Sequence, residues 1–310
     1  MNDLIPAADY PDLIDQVFDG LDIRDTTRYE YKIRIKHFLS YVSMNGMNLN
    51  TFLEYKRALE ADQIYSTASK NKFLTCTRTF LRECHRLGLL PRDITTNVKS
   101  FRQSNQHKLN GLSDGDVYLL CQWVKIHPTK LREHALLSLL LFQGLRQAEI
   151  CQIRLKDIKL EDQTMFVLGK GRDDQEKIYL HPETVRALGA YVENKDLGDT
   201  DYLFTAQKLT GSRRVQLTPR GLRYIVKSIF AELGIDKNVH GFRHYFTTKL
   251  IKNMPGQLTT VAQFTRHKSL SMLQVYNDNI LQESDLPTFY AAFNDLAWPE
   301  SYSSLRYVKQ

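Results

Sequence analysis

The sequence predicts a mainly α-helical protein of two domains that carries one small β-sheet. Its 310 residues exceed the ~100–200 residues of a typical single domain. The hydrophobic share of 42% and the charged share of 25% are those of a globular protein and exclude a disordered or fibrous chain. Apolar residues recur at helical spacing in most segments, and clearly β-rich stretches occur only between residues 164 and 180.

The first domain is predicted to span residues 1–99 and to be helical. Residues 28–42 and 71–87 each place apolar side chains at the spacing of a buried helix face, and Gly88 ends the second helix. Residues 1–23 contain six acids and no base, which predicts an acidic tail or a helix-capping region.

The formal net charge of +7 is unevenly distributed along the chain. Residues 24–108 contain sixteen bases and seven acids, and Arg78, Arg82 and Arg86 form a stripe at a spacing of four residues. Like charges at this spacing repel each other, so the stripe indicates a polyanionic partner, most simply the phosphates of a nucleic acid. A well-solvated basic surface accounts for the same charges.

Residues 100–112 are polar, basic and poor in apolar side chains, which predicts a linker between two domains. The second domain is then predicted to span residues 113–310. Its first helix is expected to begin at Ser113, because a serine followed three residues later by Asp116 matches the pattern of a capping box.

The second domain is predicted to be mainly helical around one β-hairpin. Residues 135–142 form an apolar helix that Gly144 breaks and that resumes over residues 145–155. Residues 164–168 and 177–180 are β-rich and are joined by the polar turn GKGRDDQE, as in a hairpin. Further helices are predicted at residues 182–192 and 219–233, each with a proline in its first turn, and over most of the chain from His240.

Neither a membrane anchor nor a metal cluster is predicted. The longest apolar run, residues 135–142, is far below the ~20 residues that cross a bilayer, and the first ten residues lack the pattern of a signal peptide. The cysteines have no close metal-ligand spacing and are expected to be reduced and buried or half-buried: Cys76, Cys84, Cys121 and Cys151. We therefore expect a cytoplasmic protein with no membrane contact, metal or other cofactor.

Four short patches of the second domain contain side chains that can do chemistry: GLRQAEI at 144–150, GKG at 169–171, HGFRH at 240–244 and TRHKSLSMLQVY at 265–276. Taken singly, each patch has a simpler explanation. Arg146 and Glu149 are three residues apart and can be an ion pair within one helix, and Gly-Lys-Gly can be a flexible hairpin tip. His240 and His244 have a spacing that metal ligands use, but no third ligand is evident.

Taken together, the patches point to phosphodiester chemistry. This reaction needs a nucleophile, positive charge around the phosphoryl oxygens and a proton for the departing oxygen. In sequence order, six residues resemble the active-site set of the tyrosine recombinases, the phage integrase family: Arg146, Lys170, His240, Arg243, His267 and Tyr276. The 24 residues from Arg146 to Lys170 and the nine from His267 to Tyr276 are typical of that family's compact members.

The resemblance implies both an architecture and a function. The architecture is a helical core-binding domain followed by a mixed α/β catalytic domain with a C-terminal helical tail. The function is site-specific DNA recombination, such as the integration, resolution or excision of a mobile element, through a 3′-phosphotyrosyl intermediate. The implied partners are double-stranded DNA with inverted half-sites, further copies of the chain in a synaptic homotetramer, and an accessory protein.

The resemblance also assigns roles to the residues that would cut the DNA. Arg146 and Arg243 would clamp the non-bridging phosphate oxygens in the bidentate geometry that lysine lacks. Tyr276 would attack the phosphorus, and Lys170 would protonate the leaving 5′-oxygen. Because the covalent link keeps the energy of the broken bond, rejoining would need neither ATP nor a metal.

The remaining residues of the patches would support this reaction. His240 and His267 would hydrogen-bond the phosphate or assist proton transfer, since histidine titrates near neutral pH. Glu149 would orient Arg146, and His244 is expected to be structural.

Two positions depart from the family pattern. Thr265 and Arg266 precede His267 where Leu-Gly is common, and the loss of the glycine is expected to alter the turn that places the histidine. Arg266 is expected to contact phosphate or to be an exposed surface residue. Phe242 replaces the commoner leucine of the HGFRH patch, an exchange of one apolar residue for another.

Three other functions stay open on the sequence alone. A type IB topoisomerase shares the attack chemistry but relaxes supercoils without pairing sites. A catalytically inactive DNA-binding protein would have lost its active site, although all six polar positions are present here. A metal-dependent hydrolase using His240 and His244 is more remote.

Overall fold

The chain divides into two compact units, Met1–Asn105 and Gln106–Gln310. The structure is a computed structural model, and it describes residues 10–42, 47–102, 111–169, 174–193, 195, 198–206, 215–267 and 269–274. The division falls inside the predicted linker at residues 100–112, while the domain bounds themselves stay a prediction.

The first unit is helical in its described residues, as the apolar periodicity predicts. Its helices are α1 (Tyr10–Asp19), α2 (Asp25–Val42), α3 (Leu49–Ala61) and α4 (Thr67–Arg86). One core joins all four, and its fully buried aromatic residues include Phe18, Phe38, Phe52 and Phe80. α4 ends near the predicted position, where Gly88 takes a left-handed backbone conformation with φ of +76°.

The acidic start of the chain contains a packed helix rather than only a tail. α1 buries Val17 and Phe18 in the core of the first unit. Its acids pair with α2, because Lys32 Nζ lies 2.8 Å from both Asp15 Oδ1 and Asp19 Oδ1. The prediction of an acidic tail or capping region is therefore wrong for this helix. Its apolar residues form one face and its acidic residues another, and the composition of the segment shows only the acids.

The second unit surrounds a larger core with helices and short strands. Its described helices are α5 (Asp114–Ile126), α6 (Leu131–Phe142), α7 (Gln147–Gln152), α8 (Pro182–Glu193), α9 (Pro219–Leu233), α10 (His240–Asn253) and α11 (Leu258–Thr265). The predicted capping box of α5 is confirmed. Ser113 Oγ accepts a hydrogen bond from the Asp116 N–H at 3.0 Å, and Asp116 Oδ2 accepts one from the Ser113 N–H at 2.8 Å.

The apolar helix α6 is the most buried helix of this core. Ala135 and Leu139 are fully buried, and α6 packs against both α8 and α10. This packing accounts for its continuous apolar sequence. In the part of the chain that the structure describes, no helix combines the length and the apolarity needed to span a membrane.

The sheets of the second unit are small and antiparallel. β1 (Ile158–Lys159), β2 (Thr164–Leu168) and β3 (Gln175–Tyr179) form one sheet in that order. The predicted hairpin is confirmed as β2 and β3, with Thr164 opposite Tyr179 and Leu168 opposite Gln175. Its second strand begins two residues earlier than predicted, because Gln175 and Glu176 pair with β2 instead of belonging to the turn. A second sheet of β4 (Thr205–Ala206) and β5 (Val215–Gln216) was not predicted, because strands of two residues are too short to show a periodicity.

The helix after Gly144 is shorter than the predicted span of residues 145–155. It ends at Gln152, since Ile153 is extended with φ of −61° and ψ of 131°. The next residue begins a separate turn, in which the Arg154 N–H donates to Asp157 Oδ2 at 2.9 Å. Ile153 is buried in the core although it lies outside the helix, a case that the helical periodicity of the sequence does not distinguish.

The four cysteines are free thiols, and burial differs among them. Cys76, Cys84 and Cys151 are buried, which raises the pKa of each thiol to about 12 and keeps it protonated near neutral pH. Cys121 on α5 is exposed, so the expectation that all four are buried or half-buried is wrong for this residue.

Gly144 provides a stability test of the turn between α6 and α7. Its φ is +56°, and an added Cβ would lie 2.8 Å from Phe246 Cγ, so Gly144→Ala introduces both backbone strain and overlap. We expect a loss of about 3 kcal/mol in the free energy of unfolding, measured by urea denaturation. Gly234→Ala is the matched control, since its φ of +69° is similar and nothing lies within 4 Å of the added Cβ. An equal loss of about 1 kcal/mol in both variants would contradict the steric argument.

Candidate active site

Arg146 and Glu149 form a tightly bonded pair at the start of α7. Glu149 Oε2 accepts a hydrogen bond from the Arg146 N–H at 2.8 Å, and Glu149 Oε1 accepts one from Arg146 Nη1 at 2.7 Å. The carboxylate is almost completely buried, whereas the Arg146 side chain is 29% exposed. The pair is thus both an ion pair within a helix and a device that orients the Arg146 guanidinium.

The Glu149 carboxyl stays ionised despite its burial. Burial alone would raise its pKa, but the charge of Arg266, the hydrogen bonds from Arg146 and the charge of Arg146 outweigh this effect and lower the pKa below its ordinary value. The site therefore contains a permanent buried negative charge.

Arg243 is held by main-chain carbonyls from two other segments. It lies in the first turn of α10 and is buried. Its Nη1 donates to the Gly144 oxygen at 2.7 Å, and its Nη2 donates to the Thr265 oxygen. The guanidinium consequently ties together α10, the Gly144 turn and the end of α11.

His267 follows α11 and is anchored through its Nδ1 atom. Nδ1 lies 2.6 Å from Thr265 Oγ1, and that hydroxyl donates to the Val261 oxygen at 2.8 Å. Because the threonine has one hydroxyl proton and uses it on Val261, we assign the Nδ1 atom as the donor in this contact. In the neutral imidazole, Nε2 is then left with a lone pair.

The pKa of His267 is lowered by its burial and by the positively charged side chains near it. Burial is the largest cause of a pKa lowered to about 4, and nearby positive charge lowers it further. That charge comes from Arg243, Arg146, Arg266 and His240. The structure thus brings together four of the six predicted catalytic residues: Arg146, His240, Arg243 and His267.

His240 and His244 lie one turn apart on α10. The His240 N–H donates to Asn238 Oδ1 at 2.9 Å, which starts the helix, and the His240 side chain is exposed. The rings of the two histidines meet edge to face, with centroids 4.7 Å apart. His244 is half-buried and packs beside Gly111, in keeping with the structural role expected for it. Among the described residues, no group of three or more histidine, cysteine or acidic side chains could hold a metal ion.

Two of the predicted catalytic residues, Lys170 and Tyr276, lie outside the described residues. In the sequence, Lys170 comes two residues after the end of β2, and Tyr276 comes two residues after the last described residue, 274. The predicted C-terminal helical tail also lies outside the described residues.

Arg266 is not an exposed surface residue, so this one of its two expectations is wrong, while a contact with phosphate stays a prediction. Its side chain is 4% exposed, and its Nη2 donates to Glu149 Oε2 at 2.7 Å. It therefore contacts the carboxylate that orients Arg146. The signal that could have marked it is the presence of arginine where the family commonly has glycine.

The basic stripe on α4 has partners inside the first unit. Arg78 is half-buried and donates to the Val98 oxygen, Arg82 Nε donates to Thr95 Oγ1 at 3.0 Å, and Arg86 binds the buried Glu83 through Nε and Nη2. These contacts offset the repulsion expected along the stripe. DNA binding by the three arginines stays a prediction.

Comparison with known proteins places these features in a family. The model of the phage integrase family matches residues 112–283. The tyrosine recombinase XerD of Pseudomonas aeruginosa is 28% identical over 282 residues, covering 85% of this chain and 91% of the relative. XerD of Pseudomonas putida is 29% identical over 289 residues, covering 88% of this chain and 94% of the relative.

Solved structures share the fold. A lambda integrase tetramer bound to a Holliday junction superposes with a TM-score of 0.68 and 15% identity, covering 90% of this chain and 79% of the neighbour. A lambda integrase (75–356) dimer bound to a COC′ core site has the same TM-score and identity and covers 88% of this chain and 95% of the neighbour. The resemblance read from the six residues is confirmed: the chain belongs to the phage integrase family and is a tyrosine recombinase, an enzyme of site-specific DNA recombination.

Proposed function

We propose that this recombinase cuts and rejoins duplex DNA through Tyr276, with Arg146 and Arg243 holding the scissile phosphate. The observation that carries the proposal is that Arg243 donates to the oxygens of Gly144, two residues before Arg146, and of Thr265, whose hydroxyl anchors His267. These contacts bring the three side chains into one region of the second unit, although 97 residues separate the two arginines in the sequence. Two guanidinium groups and an imidazole in one region suit the charge that develops on a phosphorane-like transition state.

The arginines are pre-positioned for this task. Arg146 is oriented by Glu149, and Arg243 by the carbonyls of Gly144 and Thr265. Groups that are already fixed need little rearrangement when the phosphate arrives, and this is the main source of electrostatic catalysis. A partly buried surrounding also strengthens their attraction for the anion.

His267 is suited to accept a hydrogen bond or a proton. Its lowered pKa keeps the imidazole neutral near pH 7, and the anchoring of Nδ1 by Thr265 leaves Nε2 as the acceptor. A bound phosphodiester brings negative charge that opposes the guanidinium charges, so it raises the pKa of His267 and makes the ring a better base. His240 would assist by hydrogen-bonding the phosphate.

The chemical steps follow from the family roles of the residues. The Tyr276 oxygen would bond to phosphorus as its proton passes to a base, with His267 as the candidate, while the bond from phosphorus to the 5′-oxygen breaks. Lys170 would supply the proton of the leaving 5′-hydroxyl. The reverse steps, with a 5′-hydroxyl of a second duplex as nucleophile, would complete strand exchange without ATP or a metal.

The first unit would bind the DNA backbone. Arg78 and Arg82 line an open groove of about 550 Å³ together with threonine and serine side chains and with Asp93, which lies 3.9 Å from Arg82 Nε. The arginine and hydroxyl donors of the groove suit phosphate oxygens. Arg86, bonded to Glu83, would contribute its remaining N–H groups. This supports the prediction that the basic stripe contacts DNA.

The assembly is proposed from the relatives. Lambda integrase has been solved as a dimer on a core site and as a tetramer on a Holliday junction. We propose that this chain likewise binds its DNA site in pairs and forms a homotetramer at synapsis. The inverted half-sites and the accessory protein of this proposal come from the family resemblance alone. Its four free cysteines fit a reducing compartment such as the cytoplasm.

The first test replaces the nucleophile. The substrate is a nicked duplex that carries the half-site selected from a random library by the purified protein. Tyr276→Phe should bind this DNA like the wild type but form no covalent adduct with it. The adduct is measured as a shifted band on a denaturing gel. Tyr224→Phe, at an exposed tyrosine of α9, is the control and should keep the adduct. An adduct that persists in Tyr276→Phe would overturn the assigned nucleophile.

The second test concerns the neutral state of His267. The pKa of the ring is about 4 in the folded protein and about 6.5 when unfolded, so the unfolded chain binds more protons as the pH falls from 7 to 5. His267 should therefore lower the free energy of unfolding over this range. His267→Gln removes this contribution, and urea denaturation should show a smaller loss between pH 7 and pH 5 than in the wild type. Equal losses would show that the imidazole is not held neutral.

The third test uses salt. Replacing Arg82 with glutamine should lower the slope of log K against log salt for DNA binding by about 1, since one phosphate contact releases about one counterion. Arg186→Gln, at an arginine of α8 that is 71% exposed, is the control and should leave the slope unchanged. An unchanged slope in Arg82→Gln would remove this residue from the DNA interface.

A further inference from the structure

Arg266 combines two unfavourable features that a surface residue would not have. It takes the left-handed backbone conformation, with φ of 54° and ψ of 44°, which glycine adopts freely and side-chain-bearing residues avoid. Its guanidinium is also buried. A charged side chain kept in such a place needs compensation from a specific partner.

That partner is Glu149. Arg266 Nη2 donates to Glu149 Oε2 at 2.7 Å, the same oxygen that accepts the Arg146 N–H, while Arg146 Nη1 occupies Oε1. One carboxylate is therefore shared by two guanidinium groups on segments 117 residues apart. The contact joins the turn that carries His267 to the turn that carries Arg146.

Sharing the carboxylate changes the charge that the site presents. If Glu149 paired with Arg146 alone, its negative charge would cancel the positive charge of Arg146. The group of Arg146, Glu149 and Arg266 instead carries a net charge of +1. Because the whole group is largely buried, this difference is felt strongly by a phosphate nearby.

We propose that Arg266 is a positioning residue that neutralises Glu149 and so keeps the charge of Arg146 available for the scissile phosphate, while fixing the His267 turn to α7. The inference rests on the proposed function above. Arg266 keeps the left-handed backbone conformation that a glycine would adopt at this position. It also adds a positive charge, which glycine cannot supply.

The experiment measures single-turnover adduct formation by the full chain on the nicked duplex described above, at saturating protein. Arg266→Gly and Arg266→Asn both tolerate the left-handed conformation and remove the charge. Each should slow the adduct by about 10–100-fold, as loss of an outer partner of a catalytic group does, and change DNA affinity less than about threefold. Arg266→Lys, which keeps the charge, should recover part of the rate.

A double variant separates charge from packing. In Arg266→Gly with Glu149→Gln, both the acid and its neutralising partner are gone, so the net charge beside the phosphate returns to +1 and the rate should rise above that of Arg266→Gly. Gln163→Gly is the matched control, because Gln163 also has a positive φ of 51° but is exposed on a turn before β2. It should cleave like the wild type.

The outcomes distinguish this inference from the proposed function. Wild-type cleavage rates in Arg266→Gly and Arg266→Asn overturn the inference alone. The inference is also overturned if Arg266→Gly forms the adduct slowly, the double variant is no faster, and circular dichroism shows both proteins to be folded. Arg266 would then have a purely structural role. Absence of an adduct with the wild type, and not only with Tyr276→Phe, overturns the proposed function and the inference with it.

Discussion

The buried Glu149 carboxylate is the interaction on which the geometry of the site depends. A buried carboxylate is stable only when it is paired and hydrogen-bonded, and here Arg146 and Arg266 donate to both oxygens of Glu149. The same contacts fix where Arg146 points and hold the turn of His267 against α7. The condition that stabilises the fold at this point therefore also arranges the groups that would meet a phosphate.

The second arginine is fixed by a different device with the same effect. Arg243 donates to the carbonyls of Gly144 and Thr265, and such carbonyls near turns and helix ends need donors when they are buried. Gly144 is suited to this contact because its positive φ and missing side chain let the chain pass close to Phe246. One guanidinium thus satisfies buried carbonyls and is held by them in the position that the proposed mechanism uses.

Sequence reasoning predicted the elements with strong periodicity and the residues with unusual chemistry. The apolar helix α6, the capping box of α5 and the hairpin of β2 and β3 were all evident, because each depends on local spacing. The helix α1, the early end of α7 and the two-residue strands were missed, since tertiary packing decides them. The burial of Arg266 could not be predicted either, because its partner Glu149 is distant in the sequence and the contact exists only after folding.

The electrostatics of the site link DNA binding to reactivity. With no phosphate bound, burial first and the nearby guanidinium groups second lower the pKa of His267 to about 4, so the ring is a poor proton acceptor. The positive charge that attracts a phosphodiester is the same charge that depresses this pKa, and the arriving anion counteracts it. A base that strengthens only when the substrate is in place would keep the tyrosine hydroxyl protonated and unreactive away from DNA. In the proposed mechanism, which breaks a DNA strand, this order of events would confine the activity of the nucleophile to bound DNA.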